Sequence, residues 1–178
     1  YILIAGRWYR SASLNGTWEF VAQNDLPKAF ADIPAGSEKD GVLASVAGTD
    51  EAYDAVMEAQ IPQTAKVDRN TAQVEVNYDG NPQFEAIPNT SLAIAENSNI
   101  IVMRAADNRF FALENGIWFV GNSAFGPWKV ANERPSYVDR IPPSSSAYNA
   151  RYVHIYESTP QYVYVDYTRG YMGNYIYG

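Results

Sequence analysis

The chain has 178 residues, 47% hydrophobic and 19% charged, with a net charge of -7. That balance supports a packed core in one domain or two small ones and excludes global disorder. The negative charge argues against a nucleic-acid partner, which needs basic surface to meet phosphates, and the lack of cysteine excludes disulfides and thiolate metal centres.

From the start of the chain, "YILI" (Tyr1–Ile4) reads as a strand, Ala5-Gly6 as a turn, and "RWYRS" and "TWEFVA" as two further strands around a loop. Because Tyr1 falls inside a strand-like run with no initiator Met, a true N-terminus further upstream is expected. "DLPKAFADI" and "KDGVLASVAG" suit short helices, the first with Pro27 in its opening turn. "TDEAYDAVMEAQ" is the best helix: Thr49 caps it, and Asp50 and Glu51 sit where the helix dipole favours anions. Ala52, Val56 and Ala59 form its apolar stripe, with Tyr53 and Met57 beside it. "QVEVNYDGNPQFEAIP" reads as a hairpin turned at Asp79-Gly80, and "SLAIAEN" adds a strand.

"IIVMRA", a turn at Asp107-Asn108, "RFFAL", the strong hairpin signal Asn115-Gly116, "IWFVG" and "WKVA" predict a four-stranded meander. "RIPPSSSAYNA" reads as a linker or draped loop. From Tyr148 onward the chain holds nine of its 14 tyrosines, and two period-two runs, around Tyr152–Tyr156 and Tyr162–Asp166, predict strands. No apolar run approaches the roughly 18 residues of a membrane span, and no signal peptide is visible.

The chain repeats itself. With Gly6 set on Gly116, Trp8 falls on Trp118, Tyr9 on Phe119, Gly16 on Gly126 and Trp18 on Trp128. After a two-residue contraction Leu26-Pro27 falls on Arg134-Pro135, Phe30 on Val138 and Ile33-Pro34 on Ile141-Pro142. Paired Trp, Gly and Pro at matched offsets mark a true repeat of about 30 residues. The first copy has no counterpart of Ile100–Ala105, so its sheet is expected to begin with an open edge, which invites another strand.

The stretches "WYRSASLNGTW", "FVGNSAFGPW", "LASVAGTDEA", "AQIPQTAKVDR" and "YVYVDYTRGYMGNY" together resemble a group of large bacterial exported proteins. These carry tandem W-[YF]-x-S-(x)4-G-P-W units and a Tyr/Gly-rich C-terminal region, and some are labelled carbohydrate-binding. The chain departs from that pattern at Thr17, Gly121 and Arg169. The resemblance implies an extracytoplasmic setting, at the cell surface or in the periplasm of a bacterium, and a role outside metabolism.

Candidate residues fall into four groups. Trp8, Trp18, Trp118 and Trp128, with Arg10 or Asn122 beside them, could stack on and bind a sugar; burial as the payload of small sheets is the simpler account. Asp50, Glu51, Asp54 and Glu58 share a helix and read as a solvated face rather than a cation site. His154 is the one histidine, with no cysteine to join it and no G-x-S-x-G elbow; Ser144–Ser146 read as loop filler. Tyr162, Tyr164, Tyr167, Tyr171, Tyr175 and Tyr177 could lend a strand to a neighbouring molecule, with Tyr1, Ile2, Leu3 and Ile4 as the receiving edge.

These readings lead to a β-rich α+β fold: a first Trp meander over 1–34, a helical insert over 35–70, a hairpin and second meander over 71–142, and a linker with a Tyr-rich β tail over 143–178. They lead to a non-enzymatic extracytoplasmic protein, without cofactor or metal, that forms a homo-oligomer, fibre or matrix by strand addition. The alternative is a carbohydrate-binding module with a polysaccharide partner.

Overall fold

The computed structural model describes residues 1–172. The chain is β-rich, and every strand pairing among the described residues is antiparallel. Its described residues divide into two compact units: Tyr1–Pro62 with Thr168–Met172, and Gln63–Tyr167.

In the first unit β1 (Ile2–Ile4), β2 (Arg7–Arg10) and β3 (Glu19–Val21) form one sheet in that order. The turn Ala5-Gly6 has φ of 50° and 74°, positive at both central residues, as a twist-matched two-residue hairpin requires. One face of this sheet buries Trp8 and Val21 with Val46, and Leu3, Leu26, Phe30 and Val42 pack around them. Short 3-10 turns at Lys28–Phe30 and Asp40–Ser45 bring those apolar residues over the sheet. Helix α1 (Asp50–Ala59) follows the Asp40–Ser45 turn; the Thr49 hydroxyl accepts a hydrogen bond from the Ala52 N–H at 3.1 Å and caps it. Ala52 is buried, whereas Tyr53 and Met57 are exposed.

The second unit contains β4 (Gln63–Asp68), β5 (Phe84–Ala86), β6 (Ala93–Ala95), β7 (Ile101–Arg104), β8 (Phe110–Glu114), β9 (Ile117–Gly121), β10 (Lys129–Val130), β11 (Val153–Ser158) and β12 (Tyr162–Tyr167). A six-stranded sheet runs β10-β9-β8-β7-β6-β5, and a three-stranded sheet runs β11-β12-β4. Their inner faces share one core: Val102, Ala112, Phe119 and Val130 from the first meet Val67, Val163 and Val165 from the second. The other face of the larger sheet buries Met103, Phe111 and Trp118, in line with the two-residue period of a strand.

Three expectations are corrected. The hairpin at Asp79-Gly80 does not form: Tyr78 makes a single bridge to Ser98, and β5 pairs with β6 instead. β4, which carries one buried residue, Val67, was not anticipated; it forms because β12 offers it a full ladder from Tyr162↔Asp68 to Tyr167↔Gln63. The stretch read as a linker or draped loop, Arg140–Ala150, is not a linker but is packed: Ile141, Ala147, Tyr148 and Ala150 are buried.

The packed stretch belongs to a structural echo longer than the textual one. Leu3↔Trp8, Tyr9↔Phe20 and Arg10↔Glu19 recur 110 positions on as Leu113↔Trp118, Phe119↔Val130 and Val120↔Lys129. The N–H to C=O bond Gly16→Ser13 recurs as Gly126→Ser123. Past the contraction, Phe30→Pro27, Ile33→Phe30, Ser37→Pro34, Asp40→Ser37 and Val42→Lys39 recur as Val138→Pro135, Ile141→Val138, Ser145→Pro142, Tyr148→Ser145 and Ala150→Ala147. Each course ends at the carbonyl that receives the buried indole: Trp8 Nε1 donates to Ser45 O at 2.6 Å, and Trp118 Nε1 donates to Val153 O at 3.3 Å. The shared course thus runs from Ile2 to Ser45 and from Ala112 to Val153, across the divisions expected at 34/35 and 142/143.

One difference between the two courses is testable. Asn115, at φ 50°, occupies the turn position held in the first course by Ala5, also at φ 50°. Alanine is strained there, whereas asparagine tolerates the left-handed region. Ala5→Asn is expected to raise stability by about 0.5–1 kcal/mol, read as a higher urea midpoint with an unchanged slope.

Candidate strand-docking edge

β1 pairs with β2 alone among the described residues. Ile4 and Arg7 flank the two-residue turn and form its hydrogen-bonded pair, so the next pair, Leu3–Trp8, is of the non-bonded kind. The N–H and C=O of Leu3 therefore point away from β2, toward the outer edge. In the second unit the equivalent strand is β8, and its equivalent residue Leu113 lies opposite Ile101 of β7. Among the described residues no strand takes, beside β1, the position that β7 takes beside β8.

Charge guards the other sheet edges. β3 carries Glu19, β4 carries Lys66 and Asp68, β5 carries Glu85, β10 carries Lys129 and β11 carries Glu157. Charged side chains on an edge discourage pairing with another chain. Tyr1–Ile4 carries none; Ile4 is 52% exposed and Tyr1 49% exposed, with the Tyr1 ring set edge-on to Phe30 at 5.2 Å.

The connection that closes the edge of β8 is charged as well. Between β7 and β8, Asp107 accepts from the Arg109 N–H at 3.1 Å and from Arg109 Nε at 2.7 Å, and Arg109 Nη1 reaches Glu133 at 2.8 Å. The Arg109 N–H, then its guanidinium, hold the Asp107 carboxyl below the usual carboxylate range.

The tryptophans weighed as sugar platforms or as core payload fall into two pairs. Trp8 is 4% exposed and Trp118 is fully buried, each with its indole nitrogen satisfied, so neither presents a face to a ligand. Trp18 and Trp128 are half-buried, and Trp128 packs against the core between the two sheets. Arg10 pairs with Glu19 at 3.4 Å on the surface.

The tyrosines expected as strand donors are also corrected in part. Tyr162, Tyr164 and Tyr167 lie in β12, the middle strand of its sheet, with β11 on one side and β4 on the other. Both rows of main-chain groups are used, so this strand has no free ladder to lend. Lys66 Nζ sits over the Tyr162 ring at 3.8 Å, and the Tyr156 and Tyr164 rings are 6.1 Å apart. Tyr171 lies in a 3-10 turn, Arg169–Met172; Tyr175 and Tyr177 fall outside the described residues.

The acidic helix face and the histidine are accounted for locally. Glu51, Asp54 and Glu58 line a cleft of about 510 Å³ with Arg169, whose guanidinium pairs with Glu58 at 2.6 Å. His154 Nδ1 lies 2.9 Å from Asp166 Oδ1 across the β11–β12 ladder. Ser145 Oγ accepts from the Ala147 N–H, inside the turn that leads to β11. No group of three or more His, Asp or Glu that could hold a metal ion occurs among the described residues, and none of their helices is long and apolar enough to cross a membrane.

No family model, no curated protein and no solved structure matches the chain.

Sequence reasoning singled out Tyr1–Ile4 from the missing counterpart of Ile100–Ala105. It missed the pattern of charge on the remaining edges, because which strands lie at an edge depends on pairings such as β4 with β12, distant in the chain.

Proposed function

We propose that this chain is a non-enzymatic, self-associating β protein of the bacterial exterior, which builds a fibre or matrix by adding a strand of one copy to the β1 edge of the next. The observation that carries this reading is the uncharged, half-exposed β1 edge, beside which no strand lies among the described residues, whereas β8 in the second unit has β7. Main-chain bonds to Leu3 supply the ladder, and Tyr1 and Ile4 give up exposed apolar surface on pairing. A contact between two different surfaces of one molecule does not close on itself unless the rotation brings it back, and so it extends. The exterior setting draws on the resemblance to exported proteins and the acidic, tyrosine-rich composition.

Sedimentation velocity over a concentration series tests the reading, with Ile4→Lys as the comparison. Ile4 is already half in solvent, so lysine is tolerated by the fold while guarding the edge. The parent chain is expected to gain mass with concentration and Ile4→Lys to remain small. Equal association of the two chains rejects the β1 edge as the joint.

A further inference from the structure

The β11–β12 ladder shifts its register once. Ile155 lies opposite Val165 and Glu157 opposite Tyr164, so Tyr156 is an extra residue in the outer strand. A bulge of this kind bends its strand and re-aims a side chain. Here Tyr156 is 54% exposed, with its ring 6.1 Å from that of Tyr164 and tilted 47° to it. Tyr164 stands on the outer face of β12, because its neighbours Val163 and Val165 turn into the core. On the other side Lys66 of β4 lies opposite Tyr164, with Nζ over the Tyr162 ring at 3.8 Å. Tyr164 therefore has its room to turn on the β11 side, toward Tyr156.

From this geometry we infer that Tyr156 and Tyr164 form an oxidative cross-linking site, which a haem peroxidase with hydrogen peroxide closes into a dityrosine within one chain. The inference stands apart from the β1 edge. Each phenol gives up one electron and one proton and becomes a phenoxyl radical. The two radicals pair through the ring carbons beside their hydroxyls, and one C–C bond forms. The hydrogens on those carbons pass to the oxygens, which restores both phenols. The chain has then lost two hydrogens, and one peroxide has taken up two electrons and two protons and left as two waters.

Access and reach together select this pair. The ring separation falls within the contact range of aromatic side chains, about 4.5–7 Å, and rotation between staggered side-chain states brings the reacting carbons together. Tyr148 and Tyr152 stand closer, at 5.8 Å, but edge-on at 77°, and Tyr148 is buried. Tyr53 is more exposed than Tyr156 but lies on α1, in the other unit. The new bond spans the ladder at its bulge and fastens β11 to the middle strand of its sheet.

The test treats the full chain, dilute, with a haem peroxidase and hydrogen peroxide, and free tyrosine in a parallel reaction confirms that the oxidant is active. Dityrosine fluorescence is expected in a product of monomer mass that lacks two hydrogens, formed at a rate per chain that dilution does not change. Protease cleavage after Glu157 is expected to leave the Tyr156 and Tyr164 peptides joined. Tyr156→Phe and Tyr164→Phe are each expected to lose this product, and Tyr53→Phe and Tyr148→Phe to keep it. Phenylalanine retains the ring and removes only the hydroxyl, and an unchanged circular dichroism spectrum shows that each variant is folded. The inference is overturned if no dityrosine forms, if it forms only between chains, or if the link maps to other tyrosines and survives in Tyr156→Phe.

Discussion

Replacing Arg69 with methionine is expected to destabilise the Gln63–Tyr167 unit by about 2–3 kcal/mol, because several charge-assisted hydrogen bonds are lost and two part-buried carbonyls lose a donor. Arg69 follows β4 directly, and its guanidinium makes four hydrogen bonds. Nε donates to Thr159 O at 3.0 Å, Nη1 to Val130 O at 2.9 Å, and Nη2 to Ser158 Oγ at 2.8 Å and to Asn132. These acceptors come from the end of β11 and the turn that follows it, from the end of β10, and from the residues just beyond it. One side chain thus ties the edge of the six-stranded sheet to the three-stranded sheet, where the shared valine core ends. Methionine keeps most of the stem, so the loss reports the head group. Arg69→Lys is expected to recover less than half of it, since a compact ammonium cannot reach four acceptors in a planar fork. Urea unfolding, with the slope held to the parent value, measures both.

Trp118→Ala is expected to cost about 3–5 kcal/mol, the usual range for emptying a large aromatic site. Trp118 is fully buried, stands edge-on to Phe111 at 6.5 Å and satisfies the Val153 carbonyl. Its loss opens a cavity beside Phe111 and removes one of two side-chain donors to the Val153 carbonyl, leaving Arg134 Nη1 at 3.4 Å. Trp128→Ala, at the half-buried position of the same motif, is expected to cost clearly less, on the order of 1–2 kcal/mol. The pair separates burial from ligand contact: a packing role predicts the ranking Trp118 above Trp128 in stability, whatever either does to binding. Calorimetric or urea unfolding of the two variants gives the order.

The sequence carried local structure well where chemistry is local. Asn115-Gly116 announces a two-residue hairpin because both positions need positive φ, and Thr49 announces a helix start because its hydroxyl replaces a missing partner. The repeat was visible where Trp, Gly and Pro recur, and it faded after Ile33-Pro34 and Ile141-Pro142. Beyond that point the two courses share turn hydrogen bonds rather than side chains: Asp40–Ser45 and Tyr148–Tyr152 make similar 3-10 turns from unlike residues. Many residues suit such turns, so composition leaves little trace, and Arg140–Ala150 resembled a linker. The tyrosine run was legible as strand but not as a middle strand, because its second neighbour, β4, exposes most of its side chains and lacks an alternating apolar signal. Of the candidate site, the open edge was legible by comparison of the two copies. The burial of Trp8 and Trp118 was anticipated only as the simpler alternative to sugar binding, since two aromatic residues of one motif can face in or out.

The open β1 edge is tested most directly at one amide. Hydrogen exchange of Leu3, followed from dilute to concentrated protein, is expected to be fast in the dilute chain, where β1 pairs with β2 alone among the described residues, and to slow markedly as copies associate. An amide that is equally protected at every concentration, or equally fast once large assemblies have formed, contradicts strand addition at this edge.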